Sequence, residues 1–305
     1  TLELVSSEIF EIQSKKELHI GWCVIDSKSV EKVLASLNEI GVAQISFIYC
    51  DRSQKNFKPD FEQLLKVLHR EQPDRPVLFE FYMNHRIYNK FAETPSNAFF
   101  KLGYDYATYG IHDLCLPVTN GERQKSTSQN SAMFKNRHDV EAFPWRDPNP
   151  EVYSKKLADA SPLPIGGKYI GCLPQSVLGG LVGSFGYEDL CLLCYDDPEL
   201  VADVADAIGR RLVMHADIIS SYDCFGAMIL NDDWGFGAQT RLAPEQMRQF
   251  IIPWYVKMVE AVHSHGKPTI LHSCGNMWSL IDDVCDICKF DGKHSYEDKI
   301  LPVED

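Results

Sequence analysis

GAMILNDDW (226–234), PEQMRQFIIPWYVKMVEAVHSHG (244–266) and PTILHSCG (268–275) follow one another in a single run of the chain. The first and third are short apolar stretches bounded by polar and turn residues, which predicts buried strands. The second opens on proline, repeats apolar residues at helical spacing and closes on Gly266, which predicts a helix. A strand, a helix and a second strand in that order make a βαβ unit, whose two strands lie parallel in one sheet.

Outward from this unit the pattern repeats. LHIGWCVI (18–25) and VAQISFIYC (42–50) read as strands around the helical period of SVEKVLASLNEIG. DFEQLLKVLHRE predicts a helix before a strand PVLFEFYM (76–83), and LCLPV (114–118) and KYIGCLP (168–174) read as further strands. DPELVADVADAIGRRLVMHADIISSYD predicts a long helix, and FDGKHS (290–295) ends the series after MWSLIDDVCDIC. Residues 119–150 form a polar, turn-rich excursion. The strand-like runs number eight, mostly each followed by a helix, so the expected fold is α/β, a TIM (β/α)8-like barrel. In such barrels chemistry sits at the C-terminal ends of the strands. Those ends carry Cys50, Tyr82, Asn84, His85, Asp232, Asp233, Trp234, His272, Cys274, Lys293 and His294.

Composition narrows the class of function. The formal net charge is −13 over 305 residues, against a nucleic-acid-wrapping surface. No apolar run reaches the roughly 20 residues of a spanning helix, and the first residues lack the pattern of a signal peptide, so the expectation is a cytoplasmic protein without membrane or nucleic-acid partners. Ten cysteines without framework spacing read as reduced thiols. The pairs Cys191/Cys194 and Cys285/Cys288 fall in helix-like stretches, where i and i+3 share a face, and are expected to pack in the core.

Asp232 and Asp233 close an apolar strand. Paired carboxylates there suit general acid or base work, with capping or ion pairing as the competing account; successive side chains point oppositely, so one is expected to face the pocket. His85 and Arg86 can meet an anionic substrate or simply be solvated, and Lys293 and His294 end the last strand. His263 and His265 flank a helix end and read as structural. Gly179, Gly180, Gly183 and Gly186 fit neither phosphate-loop spacing and read as a substrate-covering loop, with Glu188 as a contact.

The order Asp-Trp, Pro-Glu, Pro-Trp-Tyr and His-Ser-Cys-Gly-Asn within LNDDWGFGAQTRLAPEQMRQFIIPWYVKMVEAVHSHG and LHSCGNMWSLIDDV, with KPDFEQLLKVLHREQPDRPVLFEFYMN upstream, resembles the uroporphyrinogen decarboxylase superfamily from about residue 58 onward. That superfamily includes corrinoid-dependent methyltransferases. The resemblance departs from true decarboxylases in two places. FYMNHRIYNKFAETP holds Arg86 alone where an arginine-rich propionate clamp is expected, and GCLPQSVLGGLVGSFGYEDL replaces the third-strand segment. His-x-Cys at 272 and 274 matches what the methyltransferases use to hold zinc. Residues i and i+2 of a strand share a face, so both can point at one ion, although a metal-free, hydrogen-bonded polar pair accounts for them equally.

Residues 16–57, especially Glu39-Ile40-Gly41-Val42 and Asp51-Arg52-Ser53-Gln54-Lys55-Asn56, resemble a stretch of the bacterial ribosomal RNA uridine N3-methyltransferases. No S-adenosylmethionine site follows, which disfavours RNA methylation. The expected division is therefore 1–57, a βαβ segment, and 58–305, the decarboxylase-like barrel, a chimera in sequence terms. The superfamily continues for two more strands past the counterpart of FDGKHS. The N-terminal βαβα unit is expected to complete the barrel in their place, which would bring Cys50 to the rim as a third zinc ligand, with simple packing at the end of an apolar strand as the competing account.

The resemblance thus implies zinc-dependent methyl transfer from a corrinoid carrier protein to a thiol. Asp232 and Asp233 would be catalytic, Tyr82, Asn84, His85, Arg86, Glu188, Trp234, Lys293 and His294 substrate-binding, and His272, Cys274 and Cys50 metal ligands. The alternatives are cofactor-free decarboxylation of a tetrapyrrole or other polycarboxylate, and an inactive chimeric or truncated scaffold. The remaining partner expectations are a small-molecule substrate and a homodimer.

Overall fold

The computed structural model describes residues 19–23, 44–48, 57–82, 92, 94–117, 133–297 and 300. The chain divides into two compact units, Thr1–Phe57 and Lys58–Asp305. In the first, β1 (His19–Cys23) and β2 (Gln44–Ile48) pair in parallel, His19 opposite Gln44 and Cys23 opposite Ile48. The helix expected between them, and Cys50, lie outside the described residues.

The second unit holds a five-stranded sheet: β3 (Tyr106–Gly110), β4 (Lys168–Cys172), β5 (Phe225–Asn231), β6 (Thr269–His272) and β7 (Gly292–His294). Every neighbouring pair is parallel and spatial order follows chain order without reversal. The chain is therefore α/β with a parallel sheet. Helices α1 (Glu62–Leu68), α2 (Pro95–Lys101), α3 (Arg137–Ala142), α4 (Pro150–Ala158), α5 (Val177–Phe185), α6 (Tyr187–Asp196), α7 (Pro198–Ser220) and α8 (Ile252–Ser264) accompany it. Met247–Ile251 before α8 and Asp283–Ile287 before β7 are π-helical.

The sheet is apolar on both faces, as parallel sheets are. Along β5, Ala227 and Ile229 join one hydrophobic cluster with Phe61, Tyr106, Ile170 and Ile270, while Met228 and Leu230 join a second with Leu271 and residues of α5, α7 and α8. That alternation is the two-residue period of a strand. The long helix α7 begins where its sequence predicts: Asp197 caps it by accepting from Leu200 N–H at 3.0 Å, and Pro198 occupies the first turn.

Three expectations are corrected. Residues 76–82 form no strand: Glu80 N–H donates to Tyr106 Oη at 2.6 Å and the Tyr106 hydroxyl donates to Glu80 O at 2.8 Å, so at Glu80 a side chain, not a ladder, meets the backbone. The strand expected at 114–118 is displaced to Tyr106–Gly110. Within 111–117 only Cys115 makes a bridge, to Arg146, while Asp113 accepts from Asn149 N–H at 3.0 Å and His112 O from Lys156 Nζ at 2.6 Å. Pro117 has no N–H to extend a ladder. The glycine-rich stretch is helix α5, not a loop; Ser176 caps it by accepting from Gly179 N–H at 3.1 Å, and a Cβ at Gly180 would lie 2.8 Å from Ile208 Cδ1, so a residue without a side chain lets α5 sit on α7.

The cysteine pairs divide. Cys194 and Cys288 are buried, which pushes their thiols up to about 11 and about 12, and Cys191 packs against the same core, whereas Cys285, in the π turn Asp283–Ile287, is exposed. No single helix among the described residues is long and apolar enough to cross a membrane.

Candidate functional site

Because β5, β6 and β7 are parallel and adjacent, the residues following them emerge at one edge of the sheet. The register sets Asn231 opposite His272 and His272 opposite His294. The ladder then runs past the strand ends: Asp232 N–H donates to His272 O at 2.9 Å and Ser273 N–H to His294 O at 2.8 Å. Beyond it the two loops pack backbone on backbone. Gly275 has φ +81°, and a Cβ there would lie 2.3 Å from the carbonyl of Gly235, so this approach requires glycine.

The adjacent carboxylates separate. Asp232 is buried and its Oδ2 accepts from Leu178 N–H at 2.9 Å and from Tyr255 Oη at 3.0 Å. Burial raises its pKa, and those hydrogen bonds oppose the rise. Asp233 is half-buried, and its Oδ1 accepts from Cys274 N–H at 3.0 Å. Donor atoms of Asp233, His272 and Cys274 all lie within 4.8 Å of one another. Cys274 Sγ stands 3.9 Å from His272 Nε2 and 3.9 Å from Ser295 Oγ.

The two histidines of the rim meet: His272 Nδ1 and His294 Nδ1 are 2.7 Å apart. Phe81 lies against His272 at 4.7 Å and Phe79 meets His294 edge-on at 5.4 Å. Burial lowers the pKa of His272, reinforced by the neighbouring His294, and burial also lowers that of His294. The Cys274 thiol is raised by burial first and by the charge of Asp233 second. Lys293 is lowered by burial; its Nζ donates to Ser295 O at 2.7 Å and lies 4.4 Å from the centre of the Tyr296 ring.

The remaining expected site residues are dispersed. Trp234 is fully buried and packs edge-on against Tyr255, beneath the rim in the core. Glu188 is exposed in the first turn of α6, and Tyr82 is 65% exposed. Asn84, His85 and Arg86 lie outside the described residues, as does Cys50. Three contributors were not foreseen. Glu80 acts electrostatically on both rim histidines, Ser295 faces the Cys274 sulfur, and Glu297 Oε1 accepts from Gly275 N–H at 2.9 Å. Ser295 is the last residue of the quoted FDGKHS stretch and Glu297 lies two positions further on, so a reading of the loop after β7 would have reached them.

The donor set suits zinc chemically. An imidazole nitrogen, a thiol sulfur and a carboxylate oxygen make three protein ligands of the kinds that catalytic zinc takes, with a fourth position left for substrate. Among the described residues Asp233 supplies the third donor beside His272 and Cys274, and Cys50 lies outside them.

Comparison with known proteins finds both resemblances. Two curated relatives, each a Ribosomal RNA small subunit methyltransferase E from Helicobacter pylori, strains 26695 and J99, are 37% and 40% identical over 84 residues, 26% of this chain. The chain spans 37% of the length of each of these relatives. The sheet β4 to β7 and the cluster of Asp233, His272 and Cys274 fall in a different match: residues 156–300 of the chain match the family model of uroporphyrinogen decarboxylase (URO-D).

Proposed function

We propose that residues 58–305 form a barrel of the uroporphyrinogen decarboxylase superfamily whose rim carries out zinc-dependent methyl transfer from a corrinoid carrier protein to a thiol. The barrel reading is supported by strand order, since β3 to β7 follow one another without the reversal that marks an open doubly wound sheet. The observation that carries the chemistry is the convergence of Asp233, His272 and Cys274 donor atoms within 4.8 Å.

Zinc held by these three residues would supply a lowered pKa for a substrate thiol. The chain's own contributions are positional. Asp233 holds the main chain of Cys274, the Gly235–Gly275 contact fixes the two loops, and Phe79 and Phe81 cover the histidine rings. Lys293 reaches Ser295 O at 2.7 Å and keeps a cation beside the cluster, suited to an anionic part of the substrate. Asp232, held by Leu178 and Tyr255, acts as a brace for α5 and α8.

The test is metal analysis with turnover. Purified protein is expected to hold about one zinc per chain, lost in His272→Ala and Cys274→Ala, and to methylate a thiol from a methylated corrinoid only when zinc is present. The family match favours a second reading, decarboxylation of a polycarboxylate. Chelator-insensitive carbon dioxide release, unchanged in Cys274→Ala, would replace methyl transfer with it. Neither activity, with unfolding unaffected by Cys274→Ala, would leave an inactive scaffold.

A further inference from the structure

The rim histidines stand in a relation that neither a substrate contact nor a metal ligand requires. Their Nδ1 atoms are 2.7 Å apart while their ring centres are 4.9 Å apart. The nitrogens approach far more closely than the rings, so the rings meet edge to edge along an N–H···N line rather than face to face. Such a contact is attractive only with one hydrogen between the two nitrogens, so one ring donates and the other accepts.

Ligation by His272 would select the donor. Cys274 Sγ stands 3.9 Å from Nε2 of His272, the atom of that ring turned toward Asp233 and Cys274. A lone pair on that Nε2 requires the hydrogen of the neutral ring to be on Nδ1, the nitrogen that faces His294. Phe81 against His272 and Phe79 against His294 restrict rotation of both rings.

We propose that His294 is a positioning residue: its Nδ1 accepts the Nδ1–H of His272, fixing the tautomer and the ring angle that aim the His272 Nε2 lone pair at the space shared with Asp233 and Cys274. This rests on the zinc reading for the direction of the hydrogen bond and on the histidine geometry for the bond itself. Outer partners of ligating histidines commonly do this, and their removal typically weakens metal affinity about 10- to 100-fold.

Two measurements separate the inference from the reading beneath it. In metal-free protein labelled with 15N at histidine, two-bond nitrogen–proton correlations are expected to show His272 as the Nδ1–H tautomer, and His294→Ala to shift it toward Nε2–H. A wild-type Nε2–H tautomer at His272, or one unchanged by His294→Ala in folded protein, overturns the proposal whether or not zinc binds. Zinc affinity is then read by competition with a chromophoric chelator. His294→Ala is expected to lose roughly 10- to 100-fold, and His294→Gln, whose amide oxygen can accept from Nδ1–H, to recover most of it. Equal affinity in wild type and His294→Ala overturns the proposal while leaving the zinc reading intact. A wild type that binds no zinc removes the methyl-transfer reading, and the tautomer measurement alone then decides the role of His294.

Discussion

The backbone N–H of Cys274 donates to Oδ1 of Asp233 at 3.0 Å, which ties the loop after β6 to the loop after β5 through the residue whose carboxylate shares a donor cluster with the Cys274 sulfur. Asp233 therefore has two separable duties, holding a backbone and supplying charge. Asp233→Asn keeps an acceptor and is expected to change stability by no more than about 0.5 kcal/mol, whereas Asp233→Ala leaves the half-buried N–H without its charged partner and loses about 1.5–3 kcal/mol. Urea unfolding of the two variants distinguishes them, and equal losses would show that the hydrogen bond does not hold the loop.

Asp232 offers the opposite case, a carboxylate buried for architecture. Asp232→Ala strands both Leu178 N–H and Tyr255 Oη in the core and is expected to lose about 2–5 kcal/mol, while Tyr255→Phe, which removes one donor and strands none, loses about 1 kcal/mol. If Asp232 were a rim acid instead, Asp232→Ala would leave the urea midpoint near that of the wild type.

His215 gives the fold a pH dependence distant from the rim. It is fully buried in α7, its Nδ1 2.6 Å from Tyr153 Oη and its Nε2 3.1 Å from Cys172 O, and burial lowers its pKa to about 4. The unfolded chain takes up this proton near pH 6.5 and the folded one does not until near pH 4, so stability falls as pH drops through that window, on the order of 3 kcal/mol in total. His215→Gln can keep both hydrogen bonds without titrating, and unfolding free energies measured from pH 7 to 4 are expected to fall less steeply in it. Parallel slopes would remove His215 as the source.

Gly209 in α7 is a packing glycine. A Cβ there would lie 2.1 Å from Trp254 Cδ2, so Gly209→Ala, though it favours an isolated helix by about 1 kcal/mol, is expected to destabilise the protein by about 1–3 kcal/mol as Trp254 is displaced. A thermal midpoint at or above that of the wild type would show that the indole can move away freely.

The sequence by itself determined the strand–helix alternation from Asp197 to His272, because β5 and β6 are compact apolar runs with clear turn chemistry at their ends, and Asp197-Pro198 marks the start of α7. It also anticipated that His272 and Cys274 come together and that Asp232 and Asp233 divide, although β6 ends at His272 and β5 at Asn231, so Cys274 and both aspartates stand in the loops past the strands and not on a strand face. Residues 76–82 misled it because an apolar, aromatic segment has strand composition whether its backbone pairs with a ladder or with the Tyr106 hydroxyl. The glycines of α5 misled it because local propensity is weak there and contact with α7 supplies the helix. Only the tertiary structure decided that Asp233 joins His272 and Cys274 and that His294 meets His272. These contacts cross between strands distant in sequence, and their distances depend on parallel register and on two glycine loops packed backbone to backbone, which no local pattern encodes.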